Sequence, residues 1–163
     1  MNERRAVGEV RKVISVIVIN EDGVLSRISG LFAGRGYNIE SLTVAPIPES
    51  EYSRFTIVTN GSPRVLEQIT KQLHKLIPTY KVIETQDVVE KEMVLVKVPL
   101  DGNLSGLDAI LKGYNGIVAN STDDSLILMA VDDSNRITNF LKIIKKFKPS
   151  DIVRGGSVSM EKS

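Results

Sequence analysis

Residues 13–19 read VISVIVI, seven in a row of which six are β-branched. A run with no polar face cannot lie on a solvated surface, so it reads as a strand buried on both faces, the centre of a sheet covered by other layers. The longest apolar runs in the chain are about six or seven residues. All are of strand length, well short of the ~20 residues that cross a bilayer.

Beyond this strand the chain keeps a regular alternation. Asn20, Glu21, Asp22 and Gly23 make a loop, after which Leu25, Ile28, Leu31 and Phe32 recur at helical spacing until Gly34 and Gly36 end the helix. Residues 39–44 alternate as a strand stopped by Pro46 and Pro48, and residues 54–59 (RFTIVT) resume strand character after a polar turn at 49–53. Ser62 followed by Pro63 signals a helix start, and Val65, Leu66, Ile69, Leu73 and Leu76 form one apolar face that ends before Pro78. Residues 80–85 close a βαββαβ unit.

Residues 93–98 (MVLVKV) open a second series: a short helix over 104–111, a hairpin of 116–121 and 126–131, a helix capped by Ser134 and stopped by Pro149, and a glycine-interrupted strand over 152–160. The fold class expected is therefore α+β, two tandem ferredoxin-like βαββαβ domains. The expected division is a disordered segment at 1–12, a first domain at 13–86, a linker at 87–92 and a second domain at 93–163.

Chemistry is sparse. Among 163 residues there is no cysteine and one histidine, so thiolate nucleophiles, disulfides and Cys-ligated zinc are excluded and a reducing, cytoplasmic setting is expected. Twenty-one basic and 20 acidic residues leave a net charge of +1, no field that calls for nucleic acid or a membrane. The polar start lacks a signal-peptide apolar core, so the N-x-S/T matches at Asn60, Asn103 and Asn120 are chance matches in turns. His74 sits alone on a helix without the convergent partners that a metal site or a triad needs. Gly34-Arg35-Gly36 ends a helix instead of linking a strand to one, which makes it a C-cap and not a dinucleotide loop. The acidic pairs Glu21/Asp22, Asp123/Asp124 and Asp132/Asp133 fall at turns or ahead of helices, where backbone and dipole explain them. Ser26 and Ser29 lie within a helix with no base nearby, and neither a nucleophile elbow nor a Walker loop occurs. No catalytic or metal-ligating residue is assigned.

One constellation exceeds plain turn chemistry. A buried strand delivers Asn20, Gly23 lets the backbone approach a ligand, and the helix opening at Val24 presents free N–H groups and a positive dipole end to a carboxylate. The chain re-enters the sheet at Asn38, whose amide, like that of Asn20, offers both a donor and an acceptor to a zwitterion. An Asx turn at Asn20 and a left-handed residue at Asn38 fit the same pattern.

The segments NEDGVLSRISGLFAGRGYNIESLTVAP, SRFTIV and VLEQITKQLHKLI together resemble the ACT domain of the small, regulatory subunit of acetolactate synthase (acetohydroxyacid synthase). The resemblance spans about residues 13–88, and residues 90–98 (EKEMVLVKV) are similar to that family's entry into its C-terminal domain; beyond about Pro99 the residues depart from the family's usual pattern, including its arginine-rich ending. It implies a non-catalytic subunit of a transferase in branched-chain amino-acid biosynthesis, which activates a catalytic subunit and confers feedback inhibition by valine. It implies further that Asn20, Gly23, Val24, Leu25, Asn38 and Ile39 line an effector site shared by two copies. No cofactor is expected in this chain; thiamine diphosphate, Mg and FAD are expected in the partner subunit. Elementary sheet physics also favours a homodimer, because the strand after the first helix is an exposed apolar edge unless an identical edge pairs with it. The competing readings are a stand-alone amino-acid-binding regulator, an acylphosphatase-like enzyme that would use Arg27, and an RNA-binding module of the same element order that would need aromatics on its central strands.

Overall fold

A computed structural model describes residues 8–163 and resolves two compact units, one holding the described chain up to Val89 together with Ser159–Ser163, the other Glu90–Val158. Residues 1–7 of the segment expected to be disordered lie outside the described residues.

The first unit runs β1 (Val10–Ile19), α1 (Val24–Arg35), β2 (Asn38–Pro46), β3 (Tyr52–Gly61), α2 (Pro63–Lys75) and β4 (Thr79–Ile83). Its sheet has the order β2-β3-β1-β4, antiparallel at every step, with β2 at one edge. The VISVIVI run is the interior strand its composition demands through Val18, and only its last residue, Ile19, is exposed. Ile14, Val16 and Val18 join Phe55 and Ile57 under Ile28 and Phe32 of α1 and Leu66, Ile69 and Leu73 of α2. Residues of opposite parity, Val13, Ser15, Ile17, Thr56 and Val58, are buried on the other face.

Each helix has a local stop or start. Ser62 accepts the Val65 N–H at 3.2 Å with Pro63 in the first turn. Helix α1 leaves through Gly36 at φ 66°, and the N–H of Tyr37 closes back on the Phe32 carbonyl at 2.9 Å.

Strand β1 starts earlier than the expected boundary at residue 13. Val10 pairs with Gly61, Arg11 binds Glu40 at 2.8 Å and Lys12 binds Glu84 at 2.9 Å, so residues 10–12 are ordered strand and not part of a disordered segment. The polar side chains that suggest disorder in the sequence are satisfied by neighbouring strands, and the Lys12 hydrogen bond holds the Glu84 carboxyl below its usual range.

The second unit contains β5 (Val88–Pro99) from Glu90 onward, α3 (Leu107–Gly113), β6 (Gly116–Ser121), β7 (Ser125–Asp132), α4 (Ser134–Ile144) with a closing 3₁₀ turn, β8 (Asp151–Arg154) and the start of β9 (Val158–Glu161). The order is β6-β7-β5-β8, with β9 also paired to β5. Val94, Val96, Val98, Leu128 and Ala130 pack under Leu107, Leu111, Ile137, Phe140 and Ile144.

Three expectations from sequence do not hold. Residues 87–92 are not a linker, because β5 is continuous from Val88; Ser157 donates to Glu90 at 2.5 Å and to Glu92 at 3.0 Å, and Arg154 Nε donates to Glu92 at 2.7 Å, so the charges are held within the fold. The second domain is not self-contained through 163: β9 pairs with β5, while Ser159–Ser163 group with the first unit. Asp133, not Ser134, occupies the cap of α4; Asp132 lies just ahead of that helix as expected, and its buried carboxylate accepts from Arg136 Nε at 2.6 Å and Asn115 at 3.2 Å.

Arg154→Met leaves the buried Glu92 carboxylate without its cation, and a loss of about 3 kcal/mol in urea-denaturation stability is expected. A loss below about 1 kcal/mol would contradict a structural role for the pair.

Candidate functional site

The first loop is positioned from the ends of β1 and β3, with the Ile19 N–H also donating to the Pro78 carbonyl at 3.2 Å. The Asn20 N–H donates to the Glu51 carbonyl at 2.8 Å, and its side-chain Oδ1 accepts the Ser53 hydroxyl. Asn20 is thereby pinned to β3 and stands exposed at the sheet end with Glu21 and Asp22. Gly23 turns the chain at φ 81°, ψ 4°, the left-handed region that glycine enters without strain, and its carbonyl accepts the first helical N–H, from Arg27, at 3.1 Å. No side chain caps α1 and no acidic residue sits in its first turn. The opening N–H groups and the positive end of the dipole therefore face outward with no anion from the described residues to satisfy them.

The side chains around this opening divide. Val24 is 5% exposed and belongs to the domain core, so it offers the loop only its backbone; Leu25 is 50% exposed and stands beside the helix mouth. Ile39 is half-buried against the same core. Asn38 is extended at the start of β2, with its carbonyl accepting the Thr59 hydroxyl, so it does not adopt the left-handed conformation that fits its sequence pattern; Gly36 takes that role two residues earlier. The Tyr37 ring meets Phe32 edge-on at 6.0 Å between centroids and fixes the re-entry.

Register separates the six residues into two groups. Asn20 lies level with Glu51, whereas Asn38 pairs with Asn60, nine residues further along the same neighbouring chain. At strand rise this is roughly 30 Å. One copy of the chain thus brings Asn20, Gly23, Val24 and Leu25 together and places Asn38 and Ile39 at the far end of the sheet. Within one chain the six do not form a pocket for a small molecule.

The rival readings lose their residues. Phe55 is 2% exposed and packs on the helix side of the sheet, so the sole aromatic of residues 54–59 is unavailable for base stacking. The Arg27 guanidinium donates to the Ile77 carbonyl at 2.9 Å instead of turning to the loop, as an acylphosphatase-like site would need. Among the described residues there is no cluster of three or more potential metal ligands, and no helix is long and apolar enough to cross a membrane.

Three contacts carry positioning that sequence reasoning misses. Ser53 holds Asn20, and its neighbour Arg54 donates from Nη2 to Ser15 at 2.8 Å and to Glu161 at 2.6 Å. The partners are 33, 39 and 107 residues apart in sequence, and no periodicity connects them.

Comparison with known proteins covers both units. Residues 14–81 match the family model of the AHAS small subunit-like ACT domain, and residues 91–163 match that of the small subunit of acetolactate synthase, including the stretch beyond Pro99 where the motif resemblance fades. The chain is 39% identical over 159 residues to the acetolactate synthase isozyme 3 small subunit of Escherichia coli, covering 94% of this chain and 96% of that one. It is 36% identical over 153 residues to the probable acetolactate synthase small subunit of Archaeoglobus fulgidus, covering 93% and 96%. The crystal structure of the acetolactate synthase small subunit from Thermotoga maritima superposes with a TM-score of 0.85 at 28% identity over 94% of this chain and 98% of that chain, in agreement with tandem ferredoxin-like domains of which the first is an ACT domain.

A Cβ added at Gly23 would meet no atom within 4 Å, so substitution there is opposed by backbone conformation alone. Gly23→Ala is expected to lower stability by about 1 kcal/mol and Gly23→Asn by less, read from chemical denaturation. Equal and larger losses for both would mean that packing controls the position.

Proposed function

We propose, from the premise that this chain belongs to the acetolactate synthase small-subunit family, that it is a regulatory subunit whose ACT domain senses a branched-chain amino acid, valine first among them. The observation that carries the proposal is the split of the six loop and strand residues between opposite ends of one sheet. A site made from both groups needs a second copy.

Geometry supplies a way to build it. β2 is one of the two edge strands of its sheet and runs from Asn38 to Pro46, so Leu42 is its midpoint. An antiparallel contact between two β2 edges about a two-fold axis near Leu42 brings Asn38 of one copy beside Pro46 of the other. Pro46 pairs with Ser53, the residue that holds Asn20. The incoming Asn38 then lies two strand spacings, roughly 10 Å, from Ser53, a gap of amino-acid size. In this arrangement the α-carboxylate rests on the open N–H groups of α1 at Gly23, Val24 and Leu25. The amides of Asn20 and Asn38 take the ammonium and the remaining carboxylate oxygen. Leu25 and Ile39 form the apolar wall.

A wall of this kind separates side chains that differ by one methylene by only about 1–3 kcal/mol. Leucine and isoleucine are therefore weaker effectors of the same site. Ligand shared between two copies changes the free energy of their interface, and this is how binding is reported to a catalytic subunit. That catalytic subunit carries the thiamine diphosphate, Mg and FAD of the reaction. The present chain activates it and confers valine feedback without contributing a catalytic group.

Calorimetric titration with valine is expected to show saturable binding that Gly23→Asp and Asn38→Ala each weaken at least tenfold, a loss of about 1.4 kcal/mol. Assays of the cognate catalytic subunit are expected to show stimulation by this chain and reversal by valine. A catalytic subunit that this chain does not stimulate, together with no response to valine, would overturn the proposal.

A further inference from the structure

The second face of the ACT sheet carries a polar seam. Ser15, 3% exposed at the middle of β1, meets the Ser159 hydroxyl at 3.4 Å and accepts from Arg54. The same Arg54 Nη2 donates to Glu161 at 2.6 Å, and the Lys162 N–H donates to the Asp87 carbonyl at 3.1 Å. Residues 159–163 thus group with the first unit, although β9, to which residues 159–161 belong, also pairs with β5.

Arg54 occupies a sensitive place. It stands opposite Ile17 of β1 and opposite Ala45 of β2, so it bridges the central strand and the edge strand, and the adjacent Ser53 holds the Asn20 side chain. Force applied at Arg54 is carried by one peptide unit to Ser53 and by one hydrogen bond to the loop. The guanidinium is also incompletely satisfied: its Nε is buried without a partner among the described residues, as is the Thr43 hydroxyl on the same face of β2. A partly buried cation with an unpaired donor depends on the partners it keeps. The Arg54 hydrogen bond holds the Glu161 carboxyl below the usual carboxylate range, so the contact is an ion pair throughout the neutral region.

We propose that residues 159–163 are a positioning strap for the effector loop, with Glu161 as its grip on Arg54 and Ser53 as the transmitting residue. The coupling rests on the effector role assigned above to the Asn20 loop. It is reciprocal: a seated strap favours the ligand-ready loop, and a ligand on the loop tightens the strap. Glu161, Arg54 and Ser53 touch no ligand in this scheme and act through Asn20.

The test uses the full-length chain as wild type, Glu161→Gln, Ser53→Ala and the double variant, followed by amide hydrogen exchange with and without valine and by calorimetry. Glu161→Gln is expected to speed exchange at residues 20–26 about fivefold in the absence of ligand and to weaken valine binding about fivefold. Once Ser53→Ala has cut the transmission, Glu161→Gln is expected to have no further effect on either readout. Valine is expected to slow exchange at residues 159–163 in the wild type but not in Ser53→Ala. Loop exchange that ignores Glu161→Gln, or effects of the two substitutions that simply add, would overturn the strap. If the loop answers to Glu161 while the wild type binds none of valine, leucine and isoleucine, the effector reading fails and the mechanical link stands.

Discussion

The register of β3 against its two neighbours sets the limits of everything this chain can do. Through it β1 and β2 run in the same direction on either side of one strand, and a helix returns the chain from the end of β1 to the start of β2. The two asparagines that a zwitterion would use are consequently a strand length apart. No loop rearrangement within one copy closes that distance, because both residues are tied to paired strands whose apolar partners fill the core. The same register makes a second copy a simple remedy: β2 is a free edge, and reversing it against itself exchanges its two ends.

The central strand has a second consequence. Burial of β1 on both faces puts Ser15 in the interior, where a hydroxyl needs partners. Arg54 and Ser159 supply them, and Arg54 in turn requires an anion, which Glu161 provides from the end of the sequence. A polar residue inside an otherwise apolar strand therefore draws a distant segment into the first unit. Such a seam adds little net stability, since desolvation offsets much of the attraction between partly buried charges. It does specify where that segment sits.

Much of the architecture is legible in the residues because local and global signals agree. VISVIVI is interior on both faces through Val18, Ser62-Pro63 starts a helix, Gly36 ends one, and residues 116–121 form the strand expected of them. Failures cluster where charged residues are satisfied at long range. Arg11 and Lys12 resemble a disordered lead and Glu90 and Glu92 a linker, yet each meets an oppositely charged or hydroxyl partner from another segment. Composition reports polarity but not whether a partner exists. The candidate site divides in the same way. Gly23 and the uncapped helix mouth are legible from pattern, whereas Ser53, Arg54 and Glu161 are not, because their roles depend on contacts that only folding creates. Val24 reads as a wall residue in sequence but its side chain is spent on the core.

An effector site completed across two copies is tested most directly by subunit mixing. Gly23→Asp chains and Asn38→Ala chains are each deficient alone. A mixed dimer joins the intact loop of one to the intact strand of the other and discards both defects into the opposite site. After random reassortment of equal amounts, half of the dimers are mixed and each holds one sound site, so valine binding by calorimetry should return at about a quarter of the sites. No recovery on mixing, with dimers shown to exchange, would place the site within a single chain and contradict the account.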